Sequence, residues 1–316
     1  MSNSGPDGEG YDYCTGCGRI EAVVDPEVNL SQPHTRPHPS DEEGPCLGYV
    51  ARRIVLGTDF RTDIALFSLP LDSPFRVRAG NDETVFALRT ICEALAKAAC
   101  RVLQIESTEI LAEYRPALTD AGANGLETKV FIYDTLAGGA GFSPQLVGYG
   151  QELFDEALEI LTDCPEGCDA SCYRCLLSVR NRLDHRLLDR KLGEQFLRHA
   201  LQGGYPAYPQ DRTENSLNLL FDDVRRQLSD QFELERNVGR ADGQGRQITV
   251  PLLVKRRSNK EETWVTLASP IAPDVPVDAD LRAIAQVESD RIVCIDDLLV
   301  RRNFPAAIKK LFSSLL

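Results

Sequence analysis

The sequence of 316 residues lacks several features, and each absence narrows what it can be. No run of about 18 apolar residues occurs, so no transmembrane helix is expected. The first residues, MSNSGPDGEGYDY, show no basic segment followed by an apolar one, so no secretory leader is expected and a cytoplasmic, reducing setting is. There is no Gly-x-x-x-x-Gly-Lys-Ser/Thr loop, which removes the phosphate-gripping lysine and the magnesium-binding hydroxyl of a P-loop ATPase. The acidic string Asp41-Glu42-Glu43-Gly44 lacks the apolar strand that precedes a Walker B motif. Only four histidines are present, with no His-Glu-x-x-His, so an open catalytic zinc site has no ligand set. An excess of base is missing too: 35 Lys and Arg against 48 Asp and Glu give a net charge of −13. That balance counts against a free-standing DNA binder, while allowing a local basic groove or docking on a more basic partner.

What the chain has in quantity is cysteine, ten residues in all. A disulfide framework suits short secreted chains, so metal ligation is the better reading here. Cys164, Cys168, Cys172 and Cys175 follow the spacing C-x3-C-x3-C-x2-C. Four thiolates that close suit a tetrahedral zinc site, and a site with four cysteine ligands is closed to water and structural. A helical pattern over 145–162 runs into Cys164, and a second follows Asp184, a candidate N-cap. Cys14 and Cys17 form a C-x2-C knuckle, and Cys46 lies downstream with His34 and His38 between. These residues point to a second zinc site with one of the two histidines as fourth ligand. The alternative is that only some of them bind metal.

Two features around the four cysteines suit nucleic acid. Tyr173, Arg174, Arg180, Arg182 and Arg186 cluster at the knuckle, and an aromatic ring among guanidiniums matches a single-stranded backbone and its bases. Pairing with Asp184, Asp189 and Glu194 within the helix is the competing explanation. The run IYDTLAGGAGF carries a strand into a turn with Gly138, Gly139 and Gly141. Such a turn can present N–H groups to a phosphate, or it can be a close strand-to-helix crossover. Asp59 and Asp63 are read as turn and capping residues.

Composition and periodicity suggest an α+β protein: a disordered N-terminus at 1–13, a zinc-stabilised mixed module at 14–202, a linker at 203–213, and a smaller α+β domain at 214–316. A helix is expected over 83–104, with Cys92 and Cys100 as core thiols, and strands over 103–113 and 128–133. The last domain is expected to contain a helix at 214–231, strands at 232–238, 247–257, 262–269 and 291–295, and helices at 278–287 and 304–315. Cys294 is expected to be buried.

The stretches YCTGCG at 13–18, LGTDFRTDIALF at 56–67, IYDTLAGGAGF at 132–142 and CYRCLLSVRNRLDHRLLDR at 172–190 together resemble a known family. They are similar to the C-terminal zinc-binding (MZB) module of MrfA-type superfamily 2 DNA helicases, of which the DISARM antiphage subunit DrmB carries a related version. The resemblance covers roughly 12–201. It implies zinc at Cys164, Cys168, Cys172 and Cys175 and a position beside a helicase core that handles DNA. Such helicases have two RecA-like motor domains ahead of the module, and this sequence shows none. It therefore implies a non-catalytic subunit that supplies the module in trans to a separate superfamily 2 helicase, on single-stranded or forked DNA, in antiphage defence or repair. The alternative is a protein-binding scaffold with purely structural zinc. The C-terminal part weakly resembles YbjN-like or type III secretion chaperone-like domains, through WVTLASPI and IDDLLVRRNF.

Overall fold

The computed structural model describes residues 2–25, 27, 29–38, 44–57, 59–78, 80–116, 126–242, 245–285 and 291–315. The acidic residues at 41–43 lie outside them. The chain forms two compact units, Met1–Arg61 and Thr62–Leu316.

In the first unit, β1 (Ser2–Asn3) pairs with β5 (Leu56–Gly57). A three-stranded antiparallel sheet has the order β3–β2–β4, with β2 at Tyr11–Cys14, β3 at Ile20–Ala22 and β4 at Val50–Ile54. Alternation along β2 turns Asp12 and Cys14 inward. Buried Asp12 accepts from the Leu30 amide at 2.9 Å and from Arg52 at 2.8 Å. Residues 11–13 therefore belong to the sheet rather than to a disordered tail. The glycine- and acid-rich composition ahead of them had hidden a two-residue period.

The second unit begins with β6 (Ile64–Leu71), β7 (Ile110–Pro116) and β8 (Leu126–Asp134), an antiparallel sheet in the order β6–β8–β7. One face packs under α1 (Asp82–Leu103), whose residues Leu88, Ile91, Leu95, Ala98 and Ala99 recur at helical spacing and are buried. Cys92 and Cys100 sit in this core. The helix expected over 145–162 is interrupted: α2 (Leu146–Tyr149) and α3 (Gln151–Thr162) meet at Gly150, whose φ of +45° ends one turn before the next begins. After the four cysteines, α4 (Arg190–Gln202) returns against α1 and α3. Its N-cap is Asp189, whose carboxylate accepts from the Lys191 and Leu192 amides. Asp184, the cap expected from sequence, instead bonds Arg89 of α1 at 2.9 Å.

Helix α5 (Gln210–Leu228) leads into a sheet of β9 (Phe232–Ala241), β10 (Gln247–Arg256), β11 (Glu262–Ser269), β12 (Ala272–Pro276) and β13 (Ile292–Asp296). The strands are antiparallel in the order β12–β11–β10–β9, and β13 pairs parallel with β11. Helices α6 (Ala279–Ala285), α7 (Asp297–Arg302) and α8 (Phe304–Leu315) complete the unit. Strand β12 and helix α7 were not expected; both are short. Cys294 is half-buried. Among the described residues no helix is long and apolar enough to cross a membrane. The overall class is α+β.

Residues 203–213, read from composition as a linker, are packed in place. Gly204 accepts from the His199 ring, Tyr205 packs against Phe75, and α5 starts at Gln210. Ile271 and Ala272 belong to the same core as α1, and the Arg76 amide bonds the Ile271 carbonyl at 2.8 Å. The C-terminal part is thus fused to the cysteine-bearing part. The strongest tie is ionic. Fully buried Asp189 accepts from Arg212 at 3.1 Å and from Arg301 at 2.9 Å. Arg212 also reaches Asp169, between Cys168 and Cys172, at 3.0 Å, and Arg301 reaches buried Asp297 at 2.8 Å. Burial alone would raise the Asp189 pKa, but the two guanidiniums and its amide donors outweigh that and hold it below the ordinary carboxylate value.

Truncating one member leaves an uncompensated buried charge, so Arg212→Met is expected to cost about 3–5 kcal/mol in urea denaturation. Because the folded Asp189 pKa is depressed, its stabilisation is present above the unfolded value of about 3.9 and is lost as pH falls below it. Acid titration of stability should therefore show a steeper loss below pH about 4 in the unaltered protein than in Asp189→Asn.

Candidate metal centres and nucleic-acid interface

The four-cysteine knuckle is built by the end of α3 and the turns after it. The Gly167 amide bonds the Cys164 carbonyl, and the amides of Cys175, Leu176 and Leu177 all donate to the Cys172 carbonyl. These turns bring Cys164 and Cys172 to 3.5 Å between sulfurs, Cys168 and Cys175 to 3.6 Å, and Cys172 and Cys175 to 3.7 Å. All four are free thiols. Sulfurs held about 2.3 Å from a tetrahedral zinc stand about 3.8 Å apart, so the cage fits that ion. Two cations brace it. Arg190 donates to the carbonyls of Cys168 at 2.7 Å and of Leu161 and Thr162 at 3.0 Å, closing the C-terminus of α3 over the knuckle. Lys97 of α1 donates to the Cys175 carbonyl.

The second centre forms in Met1–Arg61. Cys14, Cys17, His34 and Cys46 bring their ligand atoms within 4.8 Å of one another. An antiparallel bridge between His34 and Cys46 aligns two of them, with amide bonds of 3.2 and 2.8 Å. Cys14 and Cys46 sulfurs are 3.7 Å apart, and His34 Nε2 lies 3.3 Å from Cys17 Sγ. The Nδ1–H of His34 donates to the Ser31 carbonyl at 2.9 Å, which leaves Nε2 to the metal. His38 is exposed and outside the group. Of the two histidines, His34 is therefore the one placed to serve as fourth ligand. The loop crosses itself where Gly16 meets Gly48: a Cβ on Gly48 would stand 2.9 Å from the Gly16 Cα and 3.0 Å from Cys14 Sγ. Three thiolates and one imidazole again make a closed zinc set.

Around the knuckle, Arg174, Arg180, Arg182 and Arg186 are exposed, as is Tyr173, which is 66 % accessible. The Tyr173 ring stands edge-on to His185 at 5.5 Å. The carboxylates nearest in sequence to these arginines are engaged elsewhere: Asp184 with Arg89, Asp189 with Arg212 and Arg301, Glu194 with Lys191 and Arg198. Arg174 has only a 3.7 Å approach to exposed Glu166. Arg180 donates to the Ser107 carbonyl at 2.9 Å. Asn181 pins the segment by donating to Glu93 and the Leu176 carbonyl.

The glycine turn is different. Buried Asp134 accepts from the amides of Ala140 at 2.7 Å, Phe142 at 3.1 Å and Ser143 at 2.8 Å, while Asp63 takes the Gly141 amide at 3.1 Å. The Gly139 amide bonds the Leu136 carbonyl. Burial pushes the Asp134 pKa up, but these donors and the Ser143 hydroxyl outweigh it and lower it. Two carboxylates thus already occupy the cradle that a phosphate would need, so Gly138, Gly139 and Gly141 form a crossover and not an anion site. Glycine is required at 139, where φ is +83° and a Cβ would collide with Asp63.

Metal analysis of the full chain is expected to find two zinc ions. His34→Ala should lower the count to one, His38→Ala should leave two, and Cys168→Ser together with Cys175→Ser should empty the other site. Gly139→Ala should lower the melting temperature without changing metal content.

The family described as the MrfA Zn-binding domain, MZB, matches residues 91–176, which hold α1 from Ile91, the β7–β8 hairpin, the glycine turn, α3 and all four cysteines of the knuckle. The Druantia protein DruE of Escherichia coli (strain UMEA 4076-1) is 34 % identical over 208 residues, which is 62 % of this chain and 11 % of DruE. The chain therefore spans about a tenth of that relative's length. A solved structure, the DUF1998 helicase MrfA bound to DNA, aligns with 50 % of this chain and 27 % of its own at 13 % identity and a TM-score of 0.28, too low to carry an argument about fold. The four-cysteine knuckle thus lies within the segment, residues 91–176, that matches the MrfA Zn-binding domain.

Proposed function

We propose that this chain is a non-catalytic zinc-binding module that serves a superfamily 2 DNA helicase. It guides or clamps a single-stranded or forked DNA segment while a motor outside these 316 residues hydrolyses ATP, in antiphage defence or DNA repair. The match to the MrfA Zn-binding domain supports the link to a helicase. The observation that carries the DNA role is the exposed set Tyr173, Arg174, Arg180, Arg182 and Arg186 on a rigid knuckle, with the neighbouring carboxylates tied to other partners. Guanidiniums grip phosphates and the ring offers a stacking face. The metal itself takes no part in chemistry, because both ligand sets are closed.

One observation favours a second reading. Val179 and Leu183 are exposed among the arginines, Leu183 at 88 %. Apolar side chains beside arginines also suit a protein surface, and the chain would then be a scaffold with structural zinc.

Fluorescence anisotropy with labelled single-stranded and forked DNA separates the two. Arg182→Glu with Arg186→Glu should weaken binding by about tenfold or more and make the salt dependence shallower by about 0.7 per lost phosphate contact. Unchanged affinity and slope, with zinc retained, would exclude the DNA role and leave the scaffold. The chain alone should hydrolyse no ATP and cut no DNA, and DNA-stimulated ATPase should appear when the motor is added.

A further inference from the structure

Between the last knuckle cysteine and α4, the chain over Ser178–His185 is closed on itself. The Ser178 amide donates to the Asn181 side-chain oxygen at 2.8 Å, and the Asn181 amide donates to the Ser178 hydroxyl at 3.3 Å. The Asp184 amide donates to the Asn181 carbonyl at 2.8 Å, and the His185 ring to the Ser178 carbonyl at 2.8 Å. Two side chains of α1 hold this loop from below. Glu93 accepts from buried Asn181 at 2.7 Å, and Arg89 donates to Asp184 at 2.9 Å.

The residues left on the outside are Val179, Arg180, Arg182 and Leu183, with Arg186 just beyond. Val179 and Leu183 are 79 % and 88 % exposed, so they are the parts of the loop with most to gain from leaving water. Each is next in sequence to a guanidinium, Val179 to Arg180 and Leu183 to Arg182. The carboxylate of the loop itself, Asp184, is held by Arg89. Whatever covers this tip must therefore offer an apolar slot with anions beside it. A DNA base step has that composition, stacked base faces between two phosphate backbones. Aliphatic side chains pushed into such a step unstack it, while arginines next to them keep to the groove and backbone.

We propose that Leu183, with Val179 in the same loop, is a wedge that enters the base stack at a DNA fork, where the duplex meets its single strands, while Arg180, Arg182 and Arg186 hold the phosphates around it. The proposal rests on the DNA-guiding reading above and deepens it: the arginines bind, and the leucine parts the strands. A fork suits such a wedge because its last base pair is stacked on one side only.

Both apolar side chains point into solvent, so Val179→Ser with Leu183→Ser should keep zinc content and melting temperature. The test uses the full chain and a fork carrying 2-aminopurine in the pair at the junction, whose fluorescence rises when the base unstacks. At saturation the unaltered chain should raise it by about twofold or more, and the serine variant should give no rise while binding single-stranded DNA within about twofold of the unaltered chain. Leu183→Phe keeps an apolar wedge and should keep the rise. No rise with the unaltered chain, or an equal rise with the serine variant, overturns the wedge. If the wedge fails while Arg182→Glu with Arg186→Glu loses fork affinity, the DNA role stands without it; if that arginine variant binds as tightly as the unaltered chain, the DNA role fails too. A serine variant that gives the full rise but no longer co-purifies with the motor would make the tip a protein anchor and likewise overturn the proposal.

Discussion

A carboxylate with no access to water has to be surrounded by donors and cations, and Asp189 is surrounded from three directions. Its own helix supplies the Lys191 and Leu192 amides, α5 supplies Arg212, and α7 supplies Arg301. Arg212 then reaches back to Asp169 inside the knuckle. One buried charge therefore sets the start of α4, the seat of α5 and the position of the metal-binding loop together. A buried ionic cluster adds little net stability compared with an apolar core, yet removing one of its members leaves a buried charge uncompensated.

The metal centres contribute in the same way. Four thiolates in one, and three thiolates with His34 in the other, are the ligand sets of closed, structural zinc sites, which fix geometry. Arg190 and Asn181 extend that rigidity outward. The first ties the end of α3 to the knuckle, and the second ties the segment after Cys175 to α1. The exposed arginines are carried on a frame held from below, while the glycine turn nearby is sealed by Asp134 and Asp63.

Local chemistry was legible in the sequence, and long-range partnership was not. The cysteine spacing announced the knuckle because ligands for one ion must lie close together, and α1 announced itself by its apolar period. The choice of His34 over His38 depended on a bridge to Cys46 that no local pattern records. The glycine turn left a phosphate cradle open beside a crossover, because Asp63, which fills it together with Asp134, lies just before β6, far back in the chain. The stretch 203–213 looked like a linker because glycine, proline and tyrosine dominate it. Its packing comes from Tyr205 and from Arg212, a single residue whose partners are buried carboxylates elsewhere. Asp184 looked like a cap for the same reason that Asp189 is one, but its carboxylate is taken by Arg89.

The composition of the four-cysteine cage has an electrostatic consequence. Four thiolates around one dication leave two formal negative charges at the heart of the knuckle. Left bare, that centre would repel a phosphate backbone. Tyr173 and Arg174 are inserted between the ligands Cys172 and Cys175, and Lys97 and Arg190 lie against its carbonyls. The inner cations offset the cage's charge, and the exposed arginines place further positive charge around it, so an otherwise acidic chain carries a local cluster of cations at its metal-binding loop.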